Sequence, residues 1–132
     1  LPRPDQVYNF MVAPFWDRLK PIPNTAQNVF LAVTGAAPHR ELVAESRNVP
    51  RGNGCTDPAA NVTFQVVFFE GSSDVLFNYA HTAFGGAPAC AAGDNGASAT
   101  VGIELRWPSA AQFSFDAPNL KDQLSLRFTM VQ

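Results

Sequence analysis

The fold of this chain is decided by residues 61–79, NVTFQVVFFEGSSDVLFNY. Two runs of β-branched and aromatic residues flank residues 70–74, a cluster of Glu, Gly, Ser and Asp that favours turns. Apolar runs of this length with turn formers between them predict a β-hairpin. The apolar face of the two runs consists of Val62, Phe64, Val66, Phe68, Val75, Phe77 and Tyr79. None of these side chains is chemically reactive, so the hairpin predicts architecture and no catalysis.

Strand-like patterns recur along the rest of the chain, and its 11 Pro and 9 Gly residues separate them with turn signals. The predicted strands cover residues 8–13, 28–34, 40–48, 62–69, 74–80, 98–106, 111–115 and 124–131. Short strands at such spacing predict an all-β, mostly antiparallel β-sandwich with long Gly/Pro-rich loops. The hairpin should lie at its centre, and strand 40–48, which is weakly patterned, is predicted to be an edge. The predicted core includes Phe64, Val66, Phe68, Val75, Phe77, Val101, Ile103, Leu126 and Phe128.

Length and composition indicate one folded domain over residues 1–132. Apolar residues make up 46% of the chain, which is enough for a core, and 132 residues are too few for two domains. The net charge of −2 and the scattered basic residues argue against nucleic-acid binding. No apolar run approaches the roughly 20 residues that cross a bilayer. The first residues, LPRPDQV, do not resemble a signal peptide, and a mature secreted chain would lack one.

The two cysteines, Cys55 and Cys90, lie in two long loops, residues 49–61 and 81–97. A disulfide between them would join the loops and indicate an oxidising compartment. Free thiols would indicate a reducing compartment, and a metal pair would need further ligands, which neither flanking sequence offers. The Gly-, Ala- and Pro-rich flanks favour the disulfide over the two alternatives.

Five motifs in order resemble exported bacterial β modules that are similar to the nidogen extracellular (NIDO-like) domain. The motifs are VAPFWDRL at 12–19, GAAPHR at 35–40, the run at 62–80, GASATVGIE at 96–104 and FSFDAPNLKDQLSLRF at 113–128. Such modules occur in multidomain surface proteins, secreted proteases and proteins with C-terminal anchors. The resemblance implies a secreted, extracellular, cell-surface or periplasmic location. It implies no shared activity.

The chain departs from this resemblance at its beginning. Family members usually have further strands before the A-P-F-W-D motif, whereas this sequence begins at Leu1, just upstream of Ala13. We therefore expect a processed or partial chain that lacks its first strands, or a neighbouring polypeptide that supplies them. Uncapped sheet edges favour such strand addition.

Catalytic residues are not predicted. His39 and His81 are the two histidines, and neither lies near a G-x-S-x-G or comparable nucleophile turn. The carboxylates lie at turns, where Asp is a common turn former, and a sandwich of this size rarely offers the cleft that a glycosidase pair needs.

Two ligand sites remain as alternatives. Asp94 and Asn95 precede a glycine, as in calcium loops, and Asp57 is a further candidate ligand, although the D-x-D-x-D-G spacing is absent. Trp107 precedes a proline in a loop and is the candidate ligand contact for a carbohydrate. Trp16, in the A-P-F-W-D motif, is predicted to anchor the core.

The sequence is therefore interpreted as a non-enzymatic extracellular structural, assembly or adhesion module that acts through sheet edges and loops, with a protein partner or self-association. No cofactor is expected. The alternatives are a carbohydrate- or calcium-binding module and an accessory domain of a secreted protease.

Overall fold

The computed structural model describes residues 10–106 and 108–131, which form two packed antiparallel sheets. The strands are β1 Met11–Trp16, β2 Val29–Thr34, β3 Glu41–Pro50, β4 Asn61–Phe69, β5 Val75–His81, β6 Thr100–Arg106, β7 Ser109–Phe115 and β8 Ser125–Phe128. The large sheet has the order β2-β3-β4-β5-β8, and the small sheet has the order β1-β6-β7. This architecture confirms the predicted all-β sandwich.

The β4–β5 hairpin lies at the centre of the large sheet, as predicted. Its register pairs Phe64 with Tyr79 and Val66 with Phe77, so the apolar side chains of both strands share one face. Phe77 is completely buried on this face. The period-2 alternation of the sequence is therefore reproduced as an inner and an outer face.

Aromatic side chains fill the core between the two sheets. Phe15 of β1 stacks on Phe64 of β4 with 5.6 Å between ring centroids, and Phe84 meets Phe15 edge-on at 5.9 Å. The Tyr79 hydroxyl donates a 2.5 Å hydrogen bond to the carbonyl oxygen of Pro14, and burial raises the pKa of Tyr79 above its usual value. Of the predicted core residues, Phe68, Leu126 and Phe128 are only partly buried but pack against this cluster, and the others are buried.

The loop between β5 and β6 contains a short helix, α1 Pro88–Ala91, followed by a 3₁₀ turn at Asp94–Gly96. Proline suits the first turn of a helix because its missing N–H is not needed there. Cys90 in α1 is bonded to Cys55 in the β3–β4 loop, with 4.7 Å between their Cα atoms. The disulfide prediction is confirmed.

Two strand boundaries and one edge assignment differ from the sequence predictions. β1 begins at Met11 rather than at residue 8, and the predicted residues 8 and 9 lie outside the described residues. β8 ends at Phe128. The following residues, Thr129–Val131, no longer pair with β5 and instead line a groove of about 360 Å³ beside Ile103 and Ala111 of the small sheet. The edge prediction for strand 40–48 is wrong, because β3 lies between β2 and β4.

Candidate protein-interaction face

Rows of paired residues cross the large sheet from β4 through β3 to β2. In the middle row, Val66 pairs with Ala44, and Ala44 pairs with Leu31. The exposed fraction rises along this row from 7% at Val66 to 73% at Leu31. The two neighbouring rows show the same rise in exposed fraction. One runs from Phe64 through Ser46 to Val29, and the other runs from Phe68 through Leu42 to Val33. Directly paired residues lie on the same face of a sheet, so the core face continues onto β2 and becomes exposed there.

We call this exposed region the uncovered face and define it by Val29, Leu31, Val33 and Leu42. All four are apolar, and Val33 and Leu42 are 64% and 42% exposed. Single exposed apolar residues are common on soluble proteins, whereas contiguous patches mark interaction sites. The face is therefore the strongest candidate site among the described residues.

The uncovered face results from the unequal width of the two sheets. The small sheet has three strands and the large sheet has five. Phe15 places β1 over β4, and the groove shared by Ile103 and Met130 places β6 near the end of β8. The small sheet thus lies over β4, β5 and β8, and no described strand lies over β2 and β3.

One end of the uncovered face forms a shallow groove with a charged rim. Val33, Leu42 and Phe68 line this groove of about 310 Å³, together with Arg40 and Glu70. The Arg40 guanidinium donates to both carboxylate oxygens of Glu70, at 2.9 and 2.5 Å. These hydrogen bonds hold the pKa of Glu70 below its usual value. An incoming partner would meet apolar surface in the groove and a neutralised ion pair at its end.

The opposite face of the same strands combines polar side chains with covered apolar ones, such as Val67, which is 4% exposed. The Arg47 guanidinium lies 4.5 Å above the Phe30 ring, and Arg127 lies 5.3 Å from the Phe69 ring centroid. The Gln65 amide donates a 2.7 Å hydrogen bond to Glu45, which lowers the pKa of that carboxyl. Apolar rings on this outer face are therefore covered by arginine side chains, whereas Leu31 and Val33 on the inner face are left exposed.

The predicted ligand residues in the loops are occupied by contacts within their own loops. The Asp94 carboxylate accepts from the Gly85 amide at 2.9 Å, and the Asn95 side-chain oxygen accepts from the Thr82 hydroxyl at 2.8 Å. Asp57 accepts from the amide of Ala59 at 2.9 Å, as in an Asx turn.

Metal binding by these residues stays a prediction. Across residues 10–106 and 108–131, no three His, Cys, Asp or Glu side chains come together as a metal site would require. Calcium also binds main-chain carbonyl oxygens.

The predictions for the two tryptophans have different outcomes. Trp107 lies outside the described residues, so its ligand contact stays a prediction. The core prediction for Trp16 is wrong, because Phe15 is the buried anchor and Trp16 lies exposed on the other face of β1. Trp16 pairs with Thr100, and Thr100 pairs with the exposed Phe115, so both aromatic rings lie on the outer face of the small sheet.

The histidines are not arranged around a nucleophile. His81 lies 3.3 Å from the Asp122 carboxylate, and His39 is exposed in the turn between β2 and β3. The other oxygen of Asp122 accepts from the Thr82 amide at 2.9 Å, and this bond lowers the pKa of Asp122. Thr82 is completely buried, so its hydroxyl offers no surface to a substrate.

A buried ion pair was missed by sequence reasoning. Arg51 is 3% exposed and donates to the Ala89 carbonyl at 2.6 Å and to the Ser98 hydroxyl at 3.0 Å. Ser98 in turn donates to Asp17 at 2.6 Å. A Cβ at Gly93 would lie 2.5 Å from the Arg51 Nε, so this network requires glycine there. No local pattern predicts the network, because its members come from three separate segments: the residues after β1, the residues after β3 and the β5–β6 loop.

The comparisons with known proteins now identify the class of protein. The family model described as NIDO related matches residues 1–127, and the chain belongs to this family. No curated protein and no solved structure matches the chain. Among the described residues, no helix has the length and hydrophobicity required to span a bilayer. The family suggests an extracellular module. The Cys55–Cys90 disulfide is also consistent with an extracellular location.

Proposed function

We propose that this chain is a non-enzymatic extracellular assembly or adhesion module that binds a protein partner through the uncovered face. The observation that carries the proposal is the apolar continuation of the core face onto β2, where Leu31 and Val33 are the most exposed members. Covering such side chains contributes roughly 1.5–3 kcal/mol each. This gain is available only when a further layer packs on β2 and β3.

The composition of the face supports a protein partner over a small polar ligand. Its central residues offer aliphatic surface and no hydrogen-bonding side chain, while polar ligands need convergent donors and acceptors. The nearest charges, Arg40 and Glu70, already satisfy each other. An apolar centre with a polar rim is the usual composition of a protein interface.

The test compares Leu31→Lys with Ala32→Lys. Both residues are exposed on β2, but Ala32 lies on the opposite face, so the two variants match in strand, charge and exposure. Each should change the free energy of unfolding by no more than about 0.5 kcal/mol. Native mass spectrometry of the protein from its own source should give an assembly heavier than one chain for the parent and for Ala32→Lys.

Leu31→Lys should give the mass of one chain, because a lysine ammonium would be buried at the interface. A single-chain mass for the parent, or equal loss of assembly in both variants, would contradict the proposal. A fluorescent apolar dye gives an independent readout. On the isolated single chain, dye binding should fall for Leu31→Lys and stay unchanged for Ala32→Lys.

A carbohydrate-binding function is the second candidate. The observation that favours it is the Trp16–Thr100–Phe115 row, which places two exposed aromatic rings two strands apart, or roughly 10 Å. Sugar rings stack on aromatic side chains with such spacing. Titration of soluble hexasaccharides, followed by tryptophan fluorescence, should show saturation that Phe115→Ala abolishes. Absence of saturation with every sugar tested would remove this candidate.

A further inference from the structure

A polar groove of about 360 Å³ crosses the outer face of the large sheet, opposite the uncovered face. We define it by the polar residues that line it, which are Glu45, Thr63, Gln65, Asn78, Gln123 and Ser125. Direct cross-strand pairing joins Glu45 to Gln65, Gln65 to Asn78, and Asn78 to Ser125. This row spans four neighbouring strands, or roughly 14 Å. Convergent polar side chains of this kind are what a small polar ligand requires.

Hydrogen bonds occupy the two ends of this row and leave its centre open. At one end the Gln65 amide donates to Glu45, and at the other the Ser125 hydroxyl donates to the Asn78 side-chain oxygen, each at 2.7 Å. Gln65 and Asn78 are direct cross-strand neighbours, but the structure, over the residues it describes, has no hydrogen bond between their side chains. The Gln65 carbonyl oxygen therefore keeps its capacity to accept, and the Asn78 amide nitrogen keeps its capacity to donate.

The charge of the groove favours a neutral ligand. Glu45 is the one ionisable side chain among the described residues that line it. The Arg47 guanidinium forms an ion pair with this carboxylate and also covers the Phe30 ring. A ligand of either charge would therefore meet no uncompensated opposite charge in the groove.

Two backbone irregularities coincide with the groove. The register of β4 and β5 pairs Thr63 with His81 and Phe64 with Tyr79, so Ala80 is the extra residue of a β-bulge. Gln123 has the left-handed φ of 62°, which is uncommon for a residue other than glycine. Ala80 and Gln123 both line the groove. Bulges and left-handed residues of this kind cluster at ligand-binding sites, where they redirect side chains.

We propose that the polar groove binds a neutral sugar and holds one of its hydroxyl groups between Gln65 and Asn78. A hydroxyl donates and accepts through the same oxygen, so one group satisfies both the Gln65 carbonyl and the Asn78 amide. A peptide group carries its donor and acceptor on separate atoms and cannot make both bonds at one point. Leu124, which is partly buried and also lines the groove, offers apolar contact to the C–H groups of the sugar ring.

This site differs from the surfaces described under the proposed function. The uncovered face lies on the other side of the large sheet, and the Trp16–Thr100–Phe115 row lies on the small sheet. The inference therefore does not depend on either of them.

The probe for the test is an array of neutral glycans that also carries sulfated and carboxylated glycans. The full chain should bind at least one neutral glycan saturably and show no preference for the charged ones. Asn78→Leu removes the donor and Gln65→Met removes the acceptor, each with little change of side-chain shape. Each variant should weaken binding at least about ten-fold.

Asn28→Leu is the matched control. Asn28 is half-buried like Asn78 and lies on the large sheet beside Arg47, but it is outside the groove. Binding by this variant should equal that of the parent. In the parent chain, NMR titration with the bound glycan should shift the side-chain amide signals of Gln65 and Asn78 and leave that of Asn28 in place.

The outcomes separate this inference from the other proposals. Absence of binding to every neutral glycan, or tighter binding to the charged glycans, would overturn it. Binding that Phe115→Ala abolishes, with the Gln65 and Asn78 signals unmoved, would place the sugar on the small sheet and would also overturn it. Leu31→Lys should leave glycan binding unchanged, so failure of the groove and failure of the uncovered face are distinguished.

Discussion

The two halves of the large sheet both carry apolar residues on the inner face, but these residues have opposite environments. β4 and β5 carry alternating apolar residues such as Val66 and Phe77, and these are buried. β2, VFLAVT, is apolar at five of its six positions, and its inner-face residues Val29, Leu31 and Val33 are exposed. Hydrogen-bonded pairing joins both halves through residues 41–46 of β3, over which the register is continuous. The difference shows that alternation identifies the apolar face of a strand but not whether a second layer covers it.

The largest expected effect is the difference in the free energy of unfolding between an alanine substitution in the buried half and one in the exposed half. Phe77→Ala should lower the free energy of unfolding by about 3–5 kcal/mol, because Phe77 is completely buried and packs on Phe128. Leu31→Ala should change it by no more than about 0.5 kcal/mol in the isolated chain. Urea denaturation measures both values. A cost above about 2 kcal/mol for Leu31→Ala would mean that the isolated chain buries this residue.

The disulfide should have the next largest effect. Cys55 and Cys90 close a loop with a sequence separation of 35, and the chain-entropy model gives about 3–4 kcal/mol for such a loop. The double variant Cys55→Ser, Cys90→Ser should show this loss in urea denaturation. Because Cys90 packs in the covered core, dye binding at the uncovered face should stay at the parent level. A change in that binding would show that the two halves are coupled.

Tyr79→Phe tests how the small sheet is held on the covered half. The variant removes the donor to the Pro14 carbonyl and should cost about 1–2 kcal/mol in thermal or urea unfolding. Unchanged stability would show that packing alone positions β1.

The smallest expected effect is pH-dependent and concerns Asp122. The Thr82 amide and His81 lower its folded pKa below the unfolded value, so it stabilises the fold above the unfolded pKa, which is about 3.9. This stability is lost as the pH falls through the folded pKa. Asp122→Asn should cost about 0.5–1 kcal/mol at neutral pH, a small value because solvent screens this half-exposed site.

Thermal unfolding across the acid range checks this pH dependence. The difference between the parent and Asp122→Asn should shrink as the pH falls below about 4 and vanish in strong acid. A difference that stayed constant with pH would assign the effect to packing rather than to charge.

Local pattern was sufficient to predict the strands and the central hairpin. β4 and β5 alternate between apolar and polar residues around a turn-forming segment, and both lie within a few residues of their predicted bounds. The disulfide could be favoured because both cysteines lie in loops of similar composition. Arg51, Ser98 and Asp17 could not be paired in advance, because long-range packing alone brings them together.

The sequence by itself determined the all-β class, the inner and outer faces of the central hairpin and the family resemblance, because these depend on residues that are neighbours in the chain. Only the tertiary structure decided that β3 is interior, that Trp16 faces outward, and that β2 extends beyond the small sheet. Whether an apolar side chain is buried depends on the layer placed above it. In this chain the relative width of the two sheets decides which apolar residues a second layer covers. Strand alternation carries no information about sheet width.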